Sequence, residues 1–265
     1  MSSSGATGAK TVLKPHGLGK TSRKDTWWVS PLLTLIVLTG FIVYATWAAM
    51  QGANYRSGNY LSPFYSPEIW GGPDAMLGPK PGWWPGFLPF SPALIILPFP
   101  ALFRFTCYYY RGAYYKGFWA DPPACAVSEP RKKYNSENAW PLRIQNIHRY
   151  FMYFALLFLI FLWKDAWDGF HFNGGFGIGL GSLVLLLNVT LLSGYTFSCH
   201  SLRHLVGGGK KCLSGHPMRS ACYGCVSSLN TKHMYFAWCS LFGVMFADLY
   251  VRLCAMGVWH DLRIL

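Results

Sequence analysis

Charge is what this sequence has least of. Of 265 residues only 12% are Asp, Glu, Lys or Arg, about half the share found in soluble domains. Hydrophobic residues make up 52% and aromatics 18%, so lipid rather than water is the expected solvent. There is no A-x-A-like cleavage site, and the chain is apolar throughout. The eight cysteines therefore do not read as the disulfide framework of a small secreted domain, but as reduced thiols or metal ligands. No internal repeat is visible and the apolar runs are nearly free of charge at their centres, which argues against a stand-alone transporter or channel. Hydrolase, kinase and nucleotide motifs are missing as well. The glycine run GGFGIGLG at 174–181 follows no predicted strand and reads as a close-packing helix face.

What is present is five stretches apolar enough to cross a hydrocarbon core, at 29–50, 91–110, 148–163, 176–197 and 234–256, each judged against the roughly 20 residues a spanning helix needs. The second contains Pro92, Pro98 and Pro100, which are expected to kink or shorten it. The fold class is thus an all-α integral membrane protein, a five-helix bundle at 27–265 preceded by a flexible basic tail at 1–26. Of the 23 Lys and Arg residues, 18 fall in the tail (Lys10 to Lys24), the second-to-third connection (Arg104 to Arg149) and the fourth-to-fifth connection (Arg203 to Lys232). Arg56, Lys80, Lys164, Arg252 and Arg263 are left for the other side. Short cytoplasmic segments carry the positive excess, so the N-terminus is expected inside and the C-terminus outside. The net charge of +13 is then a topology signal, and no nucleic-acid partner is implied. The 51–90 connection, rich in Pro, Gly and Trp, is expected to cap the outer end, with a quinone entrance as the alternative.

On this topology Cys107, Cys125, His148, Cys199, His200, His204 and His233 all fall at cytoplasmic ends. His200 and His204 are four apart and share a face if a helix runs through them. Clustered donors at bundle ends are a functional signal. Imidazole suits iron, copper or zinc, and thiolate suits zinc, iron–sulfur clusters or Cu(I). Two cofactors compete. A b-type haem takes two axial histidines from facing helices, whereas a Rieske-type two-iron cluster takes two cysteines and two histidines. The cysteines beside the histidines favour the cluster. Cys239 and Cys254 read as packing residues. Cys212, with Cys222 and Cys225 in CYGC, lacks a second CxxC at zinc spacing; a zinc-stabilised membrane scaffold using the 199–225 donors is the competing reading.

The segments NYLSPFYSP, FRFTCYYYRGAYYKGFW followed by PPACAV, QNIHRYFMYFALL, SCHSLRHLVGG and LNTKHMYFAWCSLF resemble the membrane-anchor subunit of bacterial succinate dehydrogenases of the actinobacterial and mycobacterial type. The resemblance runs from about Trp27 to the C-terminus. It implies a five-span, cytochrome b-like subunit of the bacterial plasma membrane that anchors a flavoprotein and an iron–sulfur protein and passes electrons from succinate to a quinone, with menaquinone the expected one. FAD, further iron–sulfur clusters and the succinate site would lie on those partners. Anchors of this kind carry b haem or none, and the mycobacterial branch is associated with a Rieske-type cluster; the seven residues above form the ligand pool. Cys212, Cys222 and Cys225 fall outside the family pattern. A quinone needs donors to two carbonyls beside apolar walls, and Tyr108, Tyr150, His200, Arg203 and His204 are the candidates. Asp165 and Asp168 read as solvated loop carboxylates, or as proton carriers if reduction is coupled across the membrane.

Overall fold

The computed structural model describes residues 17–130, 142–172, 175–210 and 212–265. Residues 1–16 of the expected tail, Arg131 to Lys133 and Lys211 among the basic residues, and Gly174 of the glycine run lie outside these. The chain divides into two compact units, Met1–Leu38 with Gly112–Ser136, and Thr39–Arg111 with Glu137–Leu265.

In the first unit, residues 17–25 are tied down rather than free. Gly19 N–H donates to Ser128 O at 3.0 Å and Ser128 N–H to Lys20 O at 3.0 Å. The Thr21 hydroxyl donates to Ala126 O at 2.7 Å and Arg23 Nη1 to Cys125 O at 2.8 Å. The flexible-tail expectation therefore fails for this stretch, because backbone groups of 125–128 give it partners.

The second unit holds the bundle. Helix α1 (Val29–Gln51) enters it from the first unit; its 23 residues span about 34 Å at 1.5 Å each, enough for a hydrocarbon core of about 30 Å. A short hairpin, β1 (Arg56–Ser57) and β2 (Tyr60–Leu61), follows. Next come α2 (Ala93–Ile96), α3 (Pro98–Phe105) and α4 (Tyr108–Tyr114), then α5 (His148–Asp168). A hairpin of β3 (His171–Phe172) and β4 (Gly175–Phe176) leads into α6 (Leu180–Phe197), α7 (His200–Gly207), α8 (Pro217–Thr231) and α9 (His233–Ala255). Among the described residues four helices are long and apolar enough to cross a membrane; the second expected span is a broken pair, bent by 82°. The break is not at the prolines. Pro98 sits in the first turn of α3, where its missing N–H has no intrahelical partner to lose, and the chain turns instead at Thr106–Cys107.

Helix α6 packs chiefly on α9 and α5. Close approach needs small residues: a Cβ on Gly194 would lie 2.4 Å from the Phe236 ring. The 174–181 run is not the helix face expected of it. Its described part forms β4 and the extended lead into α6, and a Cβ on Gly181 would lie 2.6 Å from the Tyr60 ring, so these glycines make room for the 51–92 segment. That segment does cap this end. Tyr65 is buried with its hydroxyl donating to Ala48 O at 2.9 Å. Beneath it a charge pair is sealed in the bundle: Arg252 Nε donates to Asp248 at 2.9 Å, the two being 2% and 0% exposed. Tyr44 and Ser62 hydroxyls also donate to Asp248, and Arg252 reaches Ala53 O at 3.0 Å and Ala48 O at 3.1 Å. Full hydrogen bonding is what makes a buried pair tolerable.

Candidate cofactor centre

At the opposite end of the bundle four chain breaks coincide. Helix α3 ends at Thr106–Cys107, α6 ends at Ser198–Cys199, α5 begins at His148 and α9 begins at His233. His148 Nε2 lies 3.1 Å from Cys199 Sγ, and His233 Nε2 lies 3.4 Å from Cys107 Sγ. Cys107 and Cys199 are 3% and 1% exposed.

The residue before each cysteine holds the histidine that faces the other cysteine. The Thr106 hydroxyl donates its proton to Leu102 O at 2.7 Å and so accepts from His148 Nδ1–H at 2.8 Å. Ser198 donates to Tyr195 O at 3.0 Å and accepts from His233 Nδ1–H at 2.7 Å. A hydroxyl has one proton, so both histidines are assigned the same tautomer, with the proton on Nδ1 and a lone pair on Nε2 turned toward a thiol. Metal-ligating histidines are commonly fixed in this way by a partner on the other ring nitrogen. The rings are clamped: Phe103 stacks on His148 with centroids 4.8 Å apart, and Tyr195 on His233 at 5.0 Å. Burial pushes the Cys199 thiol up to about 11, so without a metal it stays protonated; metal binding displaces such protons.

Among the described residues no group of three or more His, Cys, Asp or Glu converges as a single-ion site. The donors meet as two mixed pairs, one cysteine and one histidine in each; a Rieske-type cluster takes both cysteines on one iron and both histidines on the other, so it would bridge the pairs rather than place one iron in each. All four line one open cleft of about 890 Å³, with Tyr108 and His200 at its edge.

Of the other histidines in the ligand pool, His200 lines the same cleft as the four and His204 does not. His200 and His204 share a face of α7, but it is exposed and their Nε2 atoms lie 2.9 Å from each other. Cys125 is exposed in the first unit. Cys212, Cys222 and Cys225 are free and exposed. Cys239 is exposed on α9 and Cys254 only partly covered, so neither is the buried packing residue expected. Arg203 bonds Ser227 at 3.0 Å and lines a pocket with His204, Cys212 and Tyr223; Tyr150 is exposed on α5.

Three residues that the sequence reading passed over matter here. Thr106 and Ser198 were announced by a repeated signal, a hydroxyl residue directly before a cysteine. Arg104, counted among the connection charges, turns into the bundle instead: it donates to Tyr110 OH at 2.8 Å, Ala237 O at 3.1 Å and Ser240 Oγ at 2.9 Å, with its guanidinium 4.6 Å from the Tyr195 ring centroid. Behind Phe103, Arg104 and Tyr195 lies an apolar cavity of about 130 Å³, walled by α3, α5 and α6 and reaching Ser66. The Tyr195 and Ser66 hydroxyls are buried and make no well-formed hydrogen bond among the described residues.

A family model for the actinobacterial succinate dehydrogenase subunit SdhC matches residues 29–257. A chain of the Mycobacterium smegmatis Sdh1 complex in the apo form superposes with a TM-score of 0.85 at 44% identity, over 98% of this chain and 100% of that one. No curated protein matches. With the family model covering most of its length, the chain belongs to the actinobacterial SdhC family, the membrane subunits of succinate dehydrogenase.

Proposed function

We propose that this chain anchors a succinate dehydrogenase in the bacterial plasma membrane and reduces quinone there, docked on its centre-bearing face by flavoprotein and iron–sulfur subunits. The observation that supports this most is the four-donor centre, two thiols each facing an Nε2 lone pair. Cys107, His148, Cys199 and His233 would hold a Rieske-type [2Fe-2S] cluster, which when bound supplies one-electron transfer at a potential raised by its histidines. Thr106 and Ser198 keep both imidazoles in the ligating tautomer. A b haem on His148 and His233 would leave two buried thiols without a role, so the donor set favours the cluster.

The quinone ring is assigned to the apolar cavity. At about 130 Å³ the cavity is a little smaller than the roughly 150 Å³ that admits a benzene ring, so it would widen to take the quinone ring, and two of its lining residues, Tyr195 and Ser66, carry unfulfilled hydroxyls. Two ring carbonyls would satisfy both, each removing a penalty of about 1–3 kcal/mol. Arg104 lies beside the Tyr195 end, where its charge would favour electron arrival. None of Tyr108, Tyr150, His200, Arg203 and His204 lines this cavity; Tyr108 and His200 instead edge the open cleft.

Visible absorbance and low-temperature EPR of the purified complex, oxidised and then reduced with dithionite, test the reading. The expected result is the EPR signal of a mixed-ligand two-iron cluster without a haem Soret band. A Soret band with a sharp reduced α band would replace the cluster by haem, and colourless zinc would return the scaffold reading.

A further inference from the structure

The cavity end away from the centre is closed by Ser66, and directly beyond stands Asp165 in the last turn of α5. The Ser66 hydroxyl lies near the Asp165 carboxyl without a hydrogen bond between them, and neither Ser66 Oγ nor Asp165 Oδ2 has another partner among the described residues. Asp165 also lines a second, polar cavity of about 460 Å³, together with Arg56, Glu68, Asp74, Lys164 and His171. That cavity reaches water, since the Asp74 and Lys164 side chains are 70% and 66% exposed. Its cations are already committed: Arg56 pairs with Glu68 and Asp74, and Lys164 with Asp168. Asp165 is left without an ion pair among the described residues, between a dry cavity and a wet one. An unpaired ionisable group inside a membrane bundle is a functional signal, with a proton relay among its uses.

We propose that Asp165 and Ser66 deliver a proton to the quinone from the aqueous face opposite the docked subunits. The proposal rests on the seating of the ring in the apolar cavity. Reduction of quinone to quinol takes two electrons, which succinate oxidation supplies, and two protons, one at each oxygen. The oxygen at the Ser66 end takes the Ser66 hydroxyl proton while the Asp165 carboxyl proton passes to Ser66, and water in the polar cavity reprotonates Asp165. The other oxygen takes its proton from the face on which the electrons enter. One proton per quinone is therefore withdrawn from the far face.

The whole complex in liposomes, docked subunits outward and a pH dye in the lumen, reads this directly. The lumen should lose one proton per succinate oxidised. Asp165→Asn and Ser66→Ala should each lower quinone reduction about a hundredfold, the usual scale of an acid–base contribution, while Ser66→Thr restores it. Succinate oxidation with a soluble dye should be unchanged in all three. An unchanged lumen pH, or quinone reduction at the full rate in Asp165→Asn, overturns the relay. Ala155→Phe, which fills the cavity, separates the two claims. Retained quinone reduction there overturns the seating of the ring, whereas loss there with retention in Asp165→Asn overturns the relay alone.

Discussion

The two ends of this bundle solve the same problem, polar side chains inside an apolar solvent, in opposite ways. At the far end a full charge pair, Asp248 and Arg252, is saturated by hydroxyl and carbonyl partners from α1 and the 51–92 segment. Asp248 and Arg252 keep nothing free for a ligand, and the arrangement ties three segments together. At the centre end each histidine is held on one nitrogen so that the other is left available toward a thiol. The Asp248–Arg252 pair spends its polar atoms on the fold, whereas the four donors keep theirs for a ligand.

That contrast makes substitutions at the two ends fail differently. Asp248→Ala has the largest expected effect, because it leaves Arg252 charged and unpaired at 2% exposure. A loss of about 3–5 kcal/mol follows, measured as a fall in the yield and thermal midpoint of the assembled complex, and replacing both residues by apolar ones of similar volume should recover most of it. Cys107→Ser should instead leave assembly intact and abolish retained iron, measured as metal per complex. If it collapses assembly as Asp248→Ala does, the ends are not different in kind. Thr106→Val and Ser198→Ala should have a milder version of the same phenotype, weakening metal retention about 10- to 100-fold, as loss of a partner behind a ligating histidine does. The smallest effect is chemical. In metal-free protein Cys212, exposed and with its thiol pulled down by the Ser214 hydroxyl, should alkylate at pH 8 well before buried Cys199, which burial holds near 11; mass spectrometry of the labelled peptides gives the order.

The spans were legible because length and apolarity decide them locally. The 82° break at Thr106–Cys107 was not, because prolines nearby drew attention to themselves while sitting harmlessly in first turns. The ligand pool was legible as a class, cysteines and histidines at one end of the helices, but which four meet depends on how α3, α5, α6 and α9 pack. The His200–His204 spacing gave a shared face, as helical geometry requires, without indicating that the face is exposed. Asp165 read as a solvated carboxylate because the Ser66 hydroxyl beside it comes from about a hundred residues earlier in the chain. The glycine run misled for the same reason: Tyr60, remote in sequence, fills the space those glycines leave.

The most direct test of the central claim compares His148→Ala and His233→Ala with His200→Ala and His204→Ala in the purified complex, by low-temperature EPR after dithionite reduction alongside iron analysis. The account predicts that the mixed-ligand cluster signal and its iron vanish in each of the first two variants and persist in the last two. A signal that survives loss of His148 or His233, or disappears with His200 or His204, would contradict it.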